Sequence, residues 1–186
     1  MKTTTKSPMK SVREKQATAF ETMKGEFGYK AKLAAPRLVK VVVSATTGRS
    51  KDKNRNEMVM GRIAKITGQK ASLRAAKKSI AAFKLREGDK IGVAVTLRGA
   101  RMIGFLDKFF NVAIPRTRDF RGYERKSIDE MGNVTLGVKE QTIFPELPDE
   151  DVKDLFGLAV TIVTTAKNKK EATKFFDILG VPFKKD

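Results

Sequence analysis

Apolar positions along this chain alternate between a helical period and a period of two, and each change of period marks an element. From about Ser11 to Phe27, the residues Val12, Phe20, Met23 and Phe27 recur at helical spacing with Lys, Arg and Glu between them. Gly28 supplies the stop. Leu38–Val43 (LVKVVV) is short and β-branched, the pattern of a buried strand. A polar loop, 44–56, turns at Gly48. A helix is expected from about Arg55 to Thr67, with Val59, Ile63 and Ile66 on one face and Gly68 at its end. Lys70–Ala75 reads as a strand, and 76–90 as a basic loop that closes on a Glu-Gly-Asp turn.

The second half repeats the pattern. Ile91, Val93, Val95 and Leu97 share one face of a strand, and Gly92, Ala94, Thr96 and Arg98 share the other. A helix from about Gly99 to Ala113 turns Met102, Phe105, Leu106 and Phe109 inward, with Pro115 just beyond it. Residues 115–133 are long, irregular and basic, a length that in ordered proteins usually serves function or moves. Val134–Gln141 alternates, with Val134, Leu136 and Val138 inward and Thr135, Gly137, Lys139 and Gln141 outward. An acidic patch (Glu146, Asp149, Glu150, Asp151, Asp154) suits a turn plus a short helix. Leu158–Thr165 is a strand with Ala159, Thr161 and Thr165 outward. Asn168 and Glu171 stand at capping-box spacing before a last helix, about 169–179, whose inward face is Ala172, Phe175, Phe176 and Leu179. Gly180 and Pro182 end it.

These elements predict one α+β domain over 11–186: a mostly antiparallel β-sheet with helices packed on one face, an N-terminal amphipathic helix at 11–28, and long basic loops. Residues 1–10 read as a flexible basic tail. No internal repeat is visible.

Composition narrows the function. Of 186 residues 40% are hydrophobic, enough for one real core. Lys and Arg number 39 against 21 Asp and Glu, a net charge of +18 that favours nucleic acid or an anionic membrane surface as partner. The chain has no Cys, which excludes disulfide, thiolate and Cys-zinc chemistry. It has no His, which removes the usual general base and most transition-metal sites. An enzyme acting on RNA would have to rely on carboxylates such as Asp119 or the acids at 146–154, and no partner base or metal cluster accompanies them. The longest apolar run, near Leu158–Val163, is far too short to span a bilayer. The start, MKTTTKSPMK, has no apolar segment after it and does not read as a secretory signal, so the expected location is cytoplasmic.

Three regions then carry candidate chemistry. The outward sheet residues are small, hydroxylated or basic, which suits close approach of a sugar-phosphate backbone; without an aromatic, base stacking on the sheet is not expected. The bland alternative is an ordinary solvated face. The stretch Gly68–Arg101 holds nine Lys or Arg against two acids, with Phe83 in the middle of its loop. That ring is suited to stacking on a base, or to anchoring the loop from below. The loop with Arg116, Arg118, Arg121 and Arg125 surrounds Asp119 and Phe120; an Asp–Arg pair shaping the loop is the plain expectation, and phosphate contact by the arginines the sharper one. A general nucleic-acid chaperone binding DNA and RNA alike is the remaining class.

The segments TGQKASLRAAKKSIAAFKLREGDKIGVAVTLRG (67–99), IPRTRDFRG (114–122), GNVTLGVKEQTIFPE (132–146) and VTIVTTAK (160–167) resemble, in order, the L-five family of large-subunit ribosomal proteins. The resemblance covers about residues 33–183. It implies a structural, non-catalytic protein of the ribosome's central protuberance that helps attach 5S rRNA, with no cofactor or metal. On it, Gln69, Thr96 and Phe83 stand at matching positions and are expected to face 5S rRNA; the reading of the strands and the basic stretch adds Ser44, Lys70, Arg98, Thr135 and Lys139 to the expected 5S-facing set. The loop 76–90, with Lys77, Lys78, Ser79, Lys84 and Arg86, is expected to reach toward peptidyl-site tRNA. The loop with Arg116, Arg118, Arg121 and Arg125 is expected to contact RNA or to bridge to a small-subunit head protein. Large-subunit rRNA and neighbouring large-subunit proteins complete the implied partners; a membrane and a second copy of the chain do not figure among them. One departure stands out. The family usually ends its first strand in Asn followed by Gly-rich residues, whereas here the strand is expected to end at Ser44, followed by Ala45-Thr46-Thr47-Gly48. A serine offers a hydroxyl in place of an amide pair.

Overall fold

The computed structural model describes residues 10–48, 53–147 and 155–184. Among them lie four α-helices, α1 (Val12–Phe27), α2 (Lys53–Thr67), α3 (Gly99–Lys108) and α4 (Lys169–Leu179). Five strands, β1 (Leu38–Thr46), β2 (Ser72–Ala75), β3 (Lys90–Leu97), β4 (Val134–Val138) and β5 (Leu158–Thr164), form one sheet in the order β2-β3-β1-β5-β4. Every neighbouring pair is antiparallel. The expected tail before Lys10 and the acids at 149–154 lie outside the described residues.

One face of the sheet carries the core. Val41, Val43, Leu97, Leu136, Val160 and Ile162 are fully buried on it. Phe105, Phe109 and Phe144 stack at centroid separations of 5.9, 6.1 and 6.3 Å, and Phe175 and Phe176 fill the layer under α4. Aromatic pairs at such distances add to their burial energy. Lys108, at the end of α3, ties this layer together. Its ammonium donates 2.5 Å bonds to the Ile66 carbonyl at the end of α2 and to Glu146, and lies 5.9 Å from the Phe105 and Phe144 centroids.

α1 is docked rather than loose. Ser11 and Glu14 form a reciprocal capping box at its start. Asp107 of α3 accepts the Val12 N–H at 2.7 Å, and Lys15 donates to the Leu179 carbonyl at 3.0 Å. Its buried stripe is Val12, Ala19 and Met23; Phe20 and Phe27 are only half-buried.

Four local expectations need correction. β1 does not stop at Val43 or Ser44 but runs to Thr46, because β3 supplies partners as far as Gly92. α3 is continued by a π-helical turn over Phe109–Ala113 and then by a 3-10 turn over Ile114–Arg116 that takes in Pro115, so the proline does not end it; the wider turn buries Phe109, Phe110 and Ala113 together. Gln141 does not continue β4. The chain enters a 3-10 turn there, and Gln141, 1% exposed, accepts the Phe156 N–H at 2.8 Å. Asn168 occupies the N-cap of α4 without a side-chain bond. Glu171 instead turns inward, accepting the Lys167 N–H at 2.7 Å and the Tyr29 hydroxyl. A buried carboxylate takes the arrangement that satisfies both its oxygens. Burial, reinforced by that carboxylate, pushes the Tyr29 hydroxyl pKa up.

Candidate nucleic-acid interface

The antiparallel registers decide what the outward sheet face looks like. Ser72, Ala94, Ser44, Ala159 and Gly137 line up in one row across all five strands. At the usual strand separation that row is about 19 Å long. A second row, Thr96, Val42, Thr161 and Thr135, runs beside it. The Thr135 and Thr161 hydroxyls lie 3.1 Å apart, and Ser72 donates to the Ala94 carbonyl at 3.1 Å. The side chains are therefore short and several are held in place, so the face is low and pre-ordered. Cations stand at its ends. Lys40, paired with Val163, and Arg98 lie beyond the threonine row; Arg74, paired with Gly92, and Lys139 lie beyond the other. Among the described residues no carboxylate faces outward from these strands.

The residues expected on this face divide into three groups. Ser44, Thr96, Thr135, Arg98 and Lys139 belong to it, and Ser44 sits at the centre of the small row. Gln69 and Lys70 precede β2 at its edge. Gln69 donates to the Thr96 carbonyl at 3.1 Å and accepts from Arg101 at 3.4 Å, so it braces the edge. Phe83 is not on the sheet at all; it lies at the tip of the 76–90 loop, 71% exposed. Lys40 and Ser72 are outward-facing residues that sequence reasoning passed over. Lys40 was hidden in a run that reads as uniformly buried, although its place one residue before Val41 gives its side away.

The 76–90 loop is an ordered finger. Ala76 and Gly88 close its base, with Ala76 N–H donating to the Asp89 carbonyl at 2.8 Å and Gly88 N–H to the Ala76 carbonyl at 3.0 Å. Ile80 and Leu85 exchange two backbone bonds below the tip. Ser79 accepts the Glu87 N–H at 2.9 Å and Asp89 accepts the Arg86 N–H at 2.8 Å. Ser79 thus braces the finger while remaining exposed. Lys77, Lys78, Lys84 and Arg86 all point to solvent around Phe83 and the 45%-exposed Ile80.

The arginine loop differs again. Arg116, Arg118 and Arg121 are exposed. Arg125 is half-buried, pairs with Asp177 at 3.1 Å and lies 5.3 Å from the Phe183 ring centroid, which ties it to α4 and the chain after it. Asp119 makes no ion pair among the described residues; it contributes a left-handed backbone turn at φ 52°. Phe120 meets Tyr123 edge-on at 5.1 Å, and burial pushes the Tyr123 hydroxyl up to about 12.

Among the described residues there is no cluster of acids that could hold a metal, and no helix long and apolar enough to cross a membrane.

Comparison with known families matches two models, "Ribosomal protein L5" over residues 32–86 and the C-terminus of the same ribosomal family over 90–183. Similar proteins include the large ribosomal subunit protein uL5 of Heliobacterium modesticaldum, 47% identical over 95% of this chain and 99% of its own length. The uL5 of Kosmotoga olearia is 46% identical over 96% and 97%, and that of Desulfatibacillum aliphaticivorans 49% identical over 86% and 90%. The matched segments take in the outward sheet face, nearly all of the finger and the whole arginine loop, and the chain belongs to the ribosomal protein L5 family.

Proposed function

We propose that the chain is a structural component of the large ribosomal subunit that binds 5S rRNA through the outward face of its sheet. The observation that carries this reading is the row Ser72, Ala94, Ser44, Ala159 and Gly137, a low strip across five strands with cations at both sides and no carboxylate. A surface of that kind lets a folded RNA backbone come close, offers hydroxyls to 2′-OH groups, and places Lys and Arg where phosphates lie. The relatives carry the names of ribosomal proteins, not of enzymes. The finger, which shares no surface row with the sheet, suits a separate contact with peptidyl-site tRNA. The exposed arginines at 116, 118 and 121 suit a bridge to a protein of the small-subunit head or a phosphate contact.

A gel shift of 5S rRNA across a salt series tests the main reading. With roughly six to ten phosphates neutralised, affinity should fall by about three to five orders of magnitude from 50 to 200 mM salt. A flat salt response, or equal affinity for any duplex of similar length, would overturn it.

A further inference from the structure

Residues 117–124 of the arginine loop form no helix or strand. What fixes the loop is the chain after α4. Tyr123 N–H donates to the Pro182 carbonyl at 2.9 Å, and Lys184 N–H donates back to the Tyr123 carbonyl at 2.9 Å, a short parallel bridge. Side chains reinforce both sides of it. Lys184 pairs with Glu124 at 3.0 Å, and Arg125 reaches Asp177 and stacks over Phe183. The approach is close enough to demand glycine. Gly122 has φ +90°, and a Cβ there would stand 2.7 Å from the Lys184 nitrogen and 2.9 Å from the Phe183 carbonyl carbon.

We propose that Val181–Lys184 is a positioning strap for the arginine loop: it anchors Gly122–Arg125 so that Arg116, Arg118 and Arg121 are presented in a fixed arrangement before any partner arrives. Gly122 is the positioning residue that lets the strap close. The proposal rests on the reading of this loop as a contact surface and gives its fourth arginine, Arg125, a part in holding the strap. A pre-ordered loop loses less conformational freedom on binding, so the strap should act on affinity while leaving overall stability nearly unchanged.

Hydrogen exchange on the full chain, wild type against G122A, reads the strap directly. The Tyr123 and Lys184 amides should lose protection by about tenfold or more while β1 and β5 amides keep theirs. Unchanged protection at Tyr123 and Lys184 overturns the strap. If β1 and β5 also lose protection, G122A has unfolded, and K184P, which removes the Lys184 N–H without adding a Cβ at 122, is judged by the Tyr123 amide alone. In large subunits carrying G122A, association with small subunits should weaken by about threefold to tenfold. The triple variant R116S/R118S/R121S should weaken association and leave the two amides protected. If the triple variant weakens association but G122A, with its amides freed, associates normally, the positioning role is overturned and the contact reading stands. If the triple variant associates normally, that reading of the loop falls, and the exchange result alone decides whether the strap exists.

Discussion

The sheet face and the finger carry the same kinds of cation and present them in opposite ways. On the sheet, charges stand at the ends of a strip of small residues carried by five hydrogen-bonded strands and backed by the core. In the finger, four cations surround an exposed aromatic on a hairpin closed by a few backbone bonds. A rigid strip can accept only a partner whose surface is complementary, so it favours one folded RNA. A projecting finger reaches across a gap and tolerates movement in what it meets. Charge alone does not separate these roles; what lies beneath the charge does.

The comparison can be broken from either side. The largest effect is expected from Ala159→Phe, which raises a ring in the middle of the small row. Overpacking at a close contact costs about 1–3 kcal/mol, so 5S rRNA affinity in a gel shift should drop by about tenfold to a hundredfold. Unaltered affinity would remove the sheet strip from the interface. Gln141→Leu comes next. It leaves the buried Phe156 N–H without its acceptor, a loss of about 1–3 kcal/mol, and should lower Tm by about 2–4 °C per kcal/mol. RNA affinity measured well below that Tm should not change; a change would return Gln141 to the face.

A smaller effect tests the finger. Replacing Lys77, Lys78, Lys84 and Arg86 together with Ser should keep 5S affinity within about threefold and leave the salt slope nearly unaltered, because each lost phosphate contact would flatten it by about 0.9. A slope lower by two or more would show the finger lying on the same RNA as the sheet. The smallest effect is expected from Phe83→Ala. A ring that is 71% exposed contributes within about 0.5 kcal/mol to stability, so thermal unfolding and 5S affinity should both stay as they are. A clear fall in Tm would mean that Phe83 anchors the finger from below.

The sequence shows which positions are inward far better than it shows which outward positions meet. Ile91–Leu97 and Val134–Val138 alternate so plainly that the buried face follows from the residues. In LVKVVV the alternation is masked by apolar residues on both faces, and Lys40 and Val42 lose their side. Gln141 misleads because no Gly or Pro marks the turn that ends β4 early. Asn168 and Glu171 stand at the right spacing for a cap, but Tyr29, more than a hundred residues earlier in the chain, takes the carboxylate. Arg125 is indistinguishable in the sequence from Arg121, and only Asp177 and Phe183 set it apart.

By itself the sequence determined the α+β class, the inward faces of the helices and strands, the exclusion of His and Cys chemistry, and a polyanionic partner. All of these follow from side-chain period and charge, which are local or summed properties of the chain. The row across five strands, the bracing of the finger by Ser79 and Asp89, and the strap on the arginine loop were decided only by the tertiary structure. Each depends on a register or a close approach between segments distant in sequence, where the fit of the two surfaces, and not the preference of either segment, selects the arrangement.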